Sequence, residues 1–186
     1  TYYRPDNAVL VVSGNFEPAD LDRWVDRYFG PIARPDRPIP RTNFPEPVRA
    51  EARRYSVHAP NTPLPAVVMS WQLPPVTDPD QPVIGMIDAI LSGGESARIY
   101  QSLVYRDRIA AEAGVFADVR KGTGMFSAYA LLAGGKKVEE AEAGLRREIA
   151  RLRDAPVTAG ELARVRNQVV TSALKQRETA EGRASI

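Results

Sequence analysis

Apolar positions along this chain form unbroken runs in some places and helical spacings in others, with proline and glycine between them. Ala8-Val9-Leu10-Val11-Val12-Ser13-Gly14 is a continuous apolar run closed by glycine, which predicts a buried strand. Beyond Pro18, Leu21, Trp24, Val25 and Tyr28 recur at helical spacing, so a helix is expected from about Ala19 to Phe29, ended by Gly30-Pro31. Ala50 to His58 alternates in part, with Tyr55 and Val57 on one face, and reads as a strand. Ala66 to Leu73 is a stronger strand, stopped by Pro74-Pro75. Pro79 to Pro82 opens a helix reaching Leu91, with Val83, Met86, Ile87, Ile90 and Leu91 on one face. Gly93-Gly94 breaks it, and Ser96 is placed to cap a second helix through about Asp107, with Ile99 and Leu103 inward.

Further on, Ala113 to Val119 and Met125 to Leu132 read as two strands around the turn Lys121-Gly122-Thr123-Gly124. Val138, Ala141, Leu145, Ile149 and Leu152 then keep helical register, with Pro156 beyond the end. Thr158-Ala159-Gly160-Glu161 is a capping box that starts a last helix carrying Leu162, Val165 and Val169. This order predicts an α+β fold, a sheet with helices packed on one face. No internal repeat of 20–50 residues is visible.

Pro31 to Pro47 holds six of the 16 prolines, a density that permits neither a helix nor a central strand. Residues 31–49 are therefore read as a linker. Residues 1–30 become the strand–helix tail of a preceding domain, and residues 50–186 a second domain. The opening Thr1-Tyr2-Tyr3-Arg4-Pro5 and the close at Ser185-Ile186, with no helix stop signal, suggest a chain cut from a longer polypeptide and a second domain truncated at its C-terminus.

Composition narrows the function. The 25 basic residues are nearly matched by 23 acidic ones, for a net charge of +2, which argues against a nucleic-acid partner. With no cysteine, disulfides, thiolate metal sites and a cysteine nucleophile are excluded. No apolar run is long enough to span a membrane.

Candidate chemistry is sparse. A zinc hydrolase needs several converging His or carboxylate ligands, and the single histidine, His58, stands before Ala59-Pro60 with no paired ligand motif. A surface histidine in a turn is the plainer reading. No GxSxG elbow is present, and Ser13-Gly14 and Ser92-Gly93-Gly94 read as turns. Gly93-Gly94-Glu95-Ser96 resembles a phosphate-cradling turn, but without a Walker lysine and with Glu95 repelling an anion it reads as a helix break and restart. In the helix that follows, Arg98 and Tyr105 are seven residues apart. Two α-helical turns place them on one face, about 10 Å apart along the axis. A guanidinium and a phenol both offer donors and are able to hold carbonyl oxygens of an extended peptide. An exposed helix face, with Arg98 pairing Glu95 or Asp107, is the structural alternative.

Two stretches carry a family resemblance. Tyr2-Tyr3-Arg4-Pro5-Asp6-Asn7-Ala8 followed by Val9-Leu10-Val11-Val12-Ser13-Gly14-Asn15-Phe16 resembles the end of the first half-domain of pitrilysin/insulinase-type zinc peptidases, the group that includes mitochondrial processing peptidase. Leu91-Ser92-Gly93-Gly94-Glu95-Ser96-Ala97-Arg98-Ile99-Tyr100-Gln101-Ser102-Leu103-Val104-Tyr105 resembles the signature of that family's second half-domain. The resemblance implies paired half-domains closing around a peptide. The catalytic half would hold zinc through an inverted HxxEH motif and a downstream glutamate, all upstream of Thr1. The metal-free second half would supply an arginine and a tyrosine seven apart, matched here by Arg98 and Tyr105 as substrate-binding residues.

The resemblance thus implies a zinc-dependent metalloendopeptidase as parent, zinc ligands outside this chain, and an inactive isolated fragment. The expected partners are a peptide substrate and the catalytic half-domain or a homologous subunit. A non-catalytic partner subunit, or an assembly protein of the same fold, is the alternative. Because bacterial members are often exported, the periplasm or secretion is expected, with the cytoplasm left open. Where many members have a Leu-Ala-Tyr-Ser-like segment, this chain has Ile109-Ala110-Ala111-Glu112, so a second aromatic contact is missing.

Overall fold

The computed structural model describes residues 2–41 and 44–185. They fall into two compact units, one formed by residues 1–44 and 169–186 and the other by residues 45–168.

In the first unit, a short 3-10 turn at Pro5–Asn7 precedes helix α1 (Pro18–Tyr28), which starts with Pro18 in its first turn, as the spacing predicts. Arg4 organises the chain around it. Its guanidinium grips Asp6 at 2.6 and 2.8 Å and donates to the carbonyls of Pro35 and Arg37. The strand expected at Ala8–Gly14 does not form. A strand needs a neighbour for its N–H and C=O groups, and no described residue ladders with this stretch. Its apolar side chains stay exposed, from 89% at Val9 to 42% at Val12.

The second unit is built on three antiparallel strands, β1 (Ala66–Leu73), β2 (Ala110–Asp118) and β3 (Gly124–Leu132), in the order β1-β3-β2. β2 and β3 form the expected hairpin, with a register shift at Ala110/Glu112. β1 pairs with β3 from Ala66↔Leu131 to Leu73↔Gly124. The period-2 rule then sets one face: Ala113 and Val115 of β2 with Ala128, Ala130 and Leu132 of β3 are buried together. Helix α2 (Gln81–Ser92) contributes Leu91 to that core. Helix α3 (Val138–Asp154) contributes Ala141 and Leu145, from the predicted stripe. The α+β expectation, helices on a sheet, holds. Helix α4 (Ala159–Gln176) begins in this unit and buries Val165, while its residues from Val169 on and the short α5 (Ala180–Ala184) belong to the first unit.

Two further expectations differ. Ala50–His58 has no strand partner among the described residues and lies exposed. The segment after Gly94 is not an α-helix capped by Ser96. After a first turn at Arg98 and Ile99, it winds as a π-helix over Tyr100–Arg106. The i→i+5 bond from the Asp107 N–H to the Ser102 carbonyl, 2.9 Å, is diagnostic.

Candidate functional site

Two glycines set the start of this segment. A side chain at Gly93 would collide with the Ala89 carbonyl, and Gly94 has φ 88°, a left-handed value suited to glycine. Together they stop α2 and turn the chain. Gln101 Nε2 then donates to the Glu95 carbonyl at 2.7 Å. The turn is thus a break and restart, and the freed Gly93 carbonyl faces donors from Arg164 and Gln168 of α4.

The π-helix is locked against α3. Ile99 and Leu103 are fully buried. Gly144 of α3 leaves room for Leu103, whose Cγ and Cδ1 would lie 3.1 and 3.2 Å from an added Cβ. The buried Ser102 hydroxyl accepts from Arg106 and Arg147, each at 2.9 Å. Arg147 also reaches Asp107 at 2.6 Å. Beneath them Glu148 is wholly buried, with Arg151 at 2.8 Å on one oxygen. Its other oxygen has no hydrogen-bond donor, although Arg147 Nε stands 3.5 Å away. Arg108, with φ 50°, ends the segment in the left-handed region where helices usually place glycine.

Arg98 and Tyr105 occupy contrasting surroundings. Arg98 is nearly buried, its side chain 11% exposed, and forms a side-on bidentate pair with Glu161: Nε to Oε1 at 2.7 Å and Nη2 to Oε2 at 3.0 Å. Its partner is thus neither Glu95 nor Asp107, the two considered from sequence. Glu161 is also the N3 residue of the predicted capping box. Its Oε2 accepts from the Thr158 N–H at 3.1 Å and hydroxyl at 2.9 Å, while its own N–H donates to Thr158 Oγ1 at 3.2 Å. The Arg98 hydrogen bond, then the bonds from Thr158, hold the Glu161 carboxyl down to about 2 against an opposing push from burial. In turn Glu161 raises the Arg98 pKa. Nη1 of Arg98 has no hydrogen-bond partner among the described residues.

Tyr105 is 71% exposed, seven residues on. α-Helical winding would put the two on one face, and the i→i+5 turns over Tyr100–Arg106 change that angular relation. His58 is exposed. Among the described residues no group of three or more His, Cys, Asp or Glu side chains is arranged to hold a metal.

The family model described as the peptidase M16 inactive domain matches residues 1–169. The chain belongs to the peptidase M16 family. The curated zinc protease PqqE of Helicobacter pylori is 26% identical over 113 residues, 60% of this chain and 26% of that protein. A solved protease from Helicobacter pylori superposes with a TM-score of 0.93 at 21% identity, over 99% of this chain and 45% of that one. The ferredoxin protease FusC, solved in complex with Arabidopsis ferredoxin, matches with a TM-score of 0.56 at 18% identity, over 89% of this chain and 19% of that one. Likeness at these identities speaks for the fold. This M16 chain spans about a quarter of the curated relative's length and less than half of the solved Helicobacter protease.

Proposed function

We propose that this chain is the metal-free, substrate-holding part of a zinc peptidase, and that Arg98 and Tyr105 bind the peptide main chain. The single observation that carries the reading is the state of Arg98. Its Nε/Nη2 edge is committed to Glu161, which leaves the Nη1 end free to donate. Tyr105 adds an exposed phenol later in the same segment. Two donors on one anchored segment suit the carbonyl oxygens of an extended peptide. Fixing those carbonyls orients a scissile bond and removes part of the entropic cost of reaction.

The described residues do not fit a zinc ion, so the metal and its ligands are assigned to the remainder of the parent protein. The exposed apolar stretch Val9–Val12 is consistent with residues 1–30 belonging to a preceding half-domain, residues 31–49 linking it to this one. A protein substrate is known for the FusC relative by its solved complex with ferredoxin. Here the substrate class is simply an extended peptide segment.

The test is Arg98→Ala and Tyr105→Phe, singly and together, in the intact protein. Loss of a charge-assisted contact predicts a fall in kcat/KM of about tenfold or more for Arg98→Ala. Tyr105→Phe, losing one neutral hydrogen bond, should cost about threefold to tenfold. Unchanged kcat/KM in the double variant would refute the carbonyl-holding role. About one zinc per intact chain would support a catalytic half in the same polypeptide, whereas none would move this part to a partner-type subunit.

A further inference from the structure

We infer that Glu161, held by Thr158, is the positioning residue that aims the free end of Arg98 at the substrate main chain. This inference rests on the peptide-holding role proposed for Arg98 above. A free arginine has several rotatable bonds and would sample many orientations before meeting a carbonyl. Here the guanidinium plane is defined by two parallel bonds to Glu161, at 2.7 and 3.0 Å. The carboxylate in turn cannot swing, because Oε2 also accepts two bonds from Thr158 at the start of α4. The chain of fixation runs from a helix cap through a carboxylate to a guanidinium. The guanidinium and the carboxylate it meets are 63 residues apart in sequence.

The pairing is selective about which donors it consumes. A carboxylate meeting Nη1 and Nη2 end-on would occupy the outer end of the guanidinium. The side-on contact takes Nε and Nη2 and leaves Nη1 without a hydrogen-bond partner among the described residues. The Arg98 side chain is 11% exposed, so only a small part of it is open to a ligand.

The experiment is a double-mutant cycle in the intact, zinc-loaded protein, read as kcat/KM, with kcat and KM separated, on an internally quenched peptide that it cleaves. Glu161→Gln keeps the volume and removes the charge and one acceptor. It should lower kcat/KM by about tenfold in the native background. In the Arg98→Ala background it should change nothing, because no guanidinium is left to aim. Glu161→Asp, which keeps the charge but shortens its reach, should fall between the two, and it remains informative if Glu161→Gln does not fold.

A merely structural Glu161 would lower kcat/KM equally in both backgrounds, and that result would overturn the inference. So would a fall for Arg98→Ala with none for Glu161→Gln or Glu161→Asp, which leaves the peptide-holding role standing. No effect from Arg98→Ala would sink the peptide-holding role, and the positioning role with it.

Discussion

Gly144 and Leu103 form a close-packed seat between α3 and the π-helix, and changing them tests why the π-helix sits where it does. Gly144→Ala adds a methyl whose carbon would lie 3.1, 3.2 and 3.4 Å from Cγ, Cδ1 and Cδ2 of Leu103. Leu103 has no exposed surface, and its branch point itself is in the way, so the side chain has no simple escape. Overpacking of this kind costs about 1–3 kcal/mol. The alanine gains about 1 kcal/mol of helix propensity inside α3. The expected net effect is a loss of about 1 kcal/mol.

Leu103→Ala alone opens a cavity and should cost about 3 kcal/mol. In the double variant the added methyl enters that cavity, the clash disappears and the propensity gain is kept. The double variant should therefore lose only about 1–2 kcal/mol, where the single costs add to about 4 kcal/mol. Urea unfolding followed by circular dichroism reads this directly as shifts in midpoint at constant m. If the two changes add to within about 0.5 kcal/mol, the two residues do not share one packing site and the reasoning is wrong.

Acid should act on the same region through Glu161. Its folded pKa of about 2 lies below the ordinary 4.5, so its pairing stabilises the fold above pH 4.5 and that contribution is lost as pH falls towards 2. The shift sets a ceiling of about 3 kcal/mol, and partial exposure of the pair reduces it to about 1–2 kcal/mol. A carboxyl titration by NMR with a Glu161 midpoint near 4.5 would contradict the ion pair. Asp88 on α2 behaves in the opposite sense. Burial raises its pKa, only partly offset by the Ala117 N–H, so its charge burdens the fold at neutral pH and the burden lifts as pH falls through the raised value. Asp88→Asn should therefore leave Tm at pH 7 unchanged or higher, and a clear drop would show that the charge is needed.

Much of the second unit was legible from local pattern. The run Ala66–Leu73, the hairpin around Lys121–Gly124, the α3 stripe and the Thr158/Glu161 box all carry their signal within a few residues, and each appears where expected. Likewise, the Tyr2–Phe16 and Leu91–Tyr105 stretches together pointed to the family that the M16 match over residues 1–169 shows.

Other features depended on residues far away in sequence. Ala8–Gly14 and Ala50–His58 have strand-like patterns, but a strand exists only when another chain segment completes its hydrogen bonds, and no described residue does so. The Tyr100–Arg106 segment has ordinary helical spacing, and nothing local distinguishes i→i+4 from i→i+5 winding. The observed winding goes with contacts made from α3, where Gly144 admits Leu103 and Arg147 binds Ser102. Glu148, a charged residue at helical spacing from Ala141, Leu145 and Leu152, is completely buried.

The site divides the same way. Sequence determined that an arginine and a tyrosine stand seven apart on one segment, and that Glu161 caps a helix. Only the tertiary structure decided that the capping carboxylate and the arginine meet. Ion pairing reads distance in space, and no periodic pattern encodes which of 23 acidic side chains will lie beside a given guanidinium.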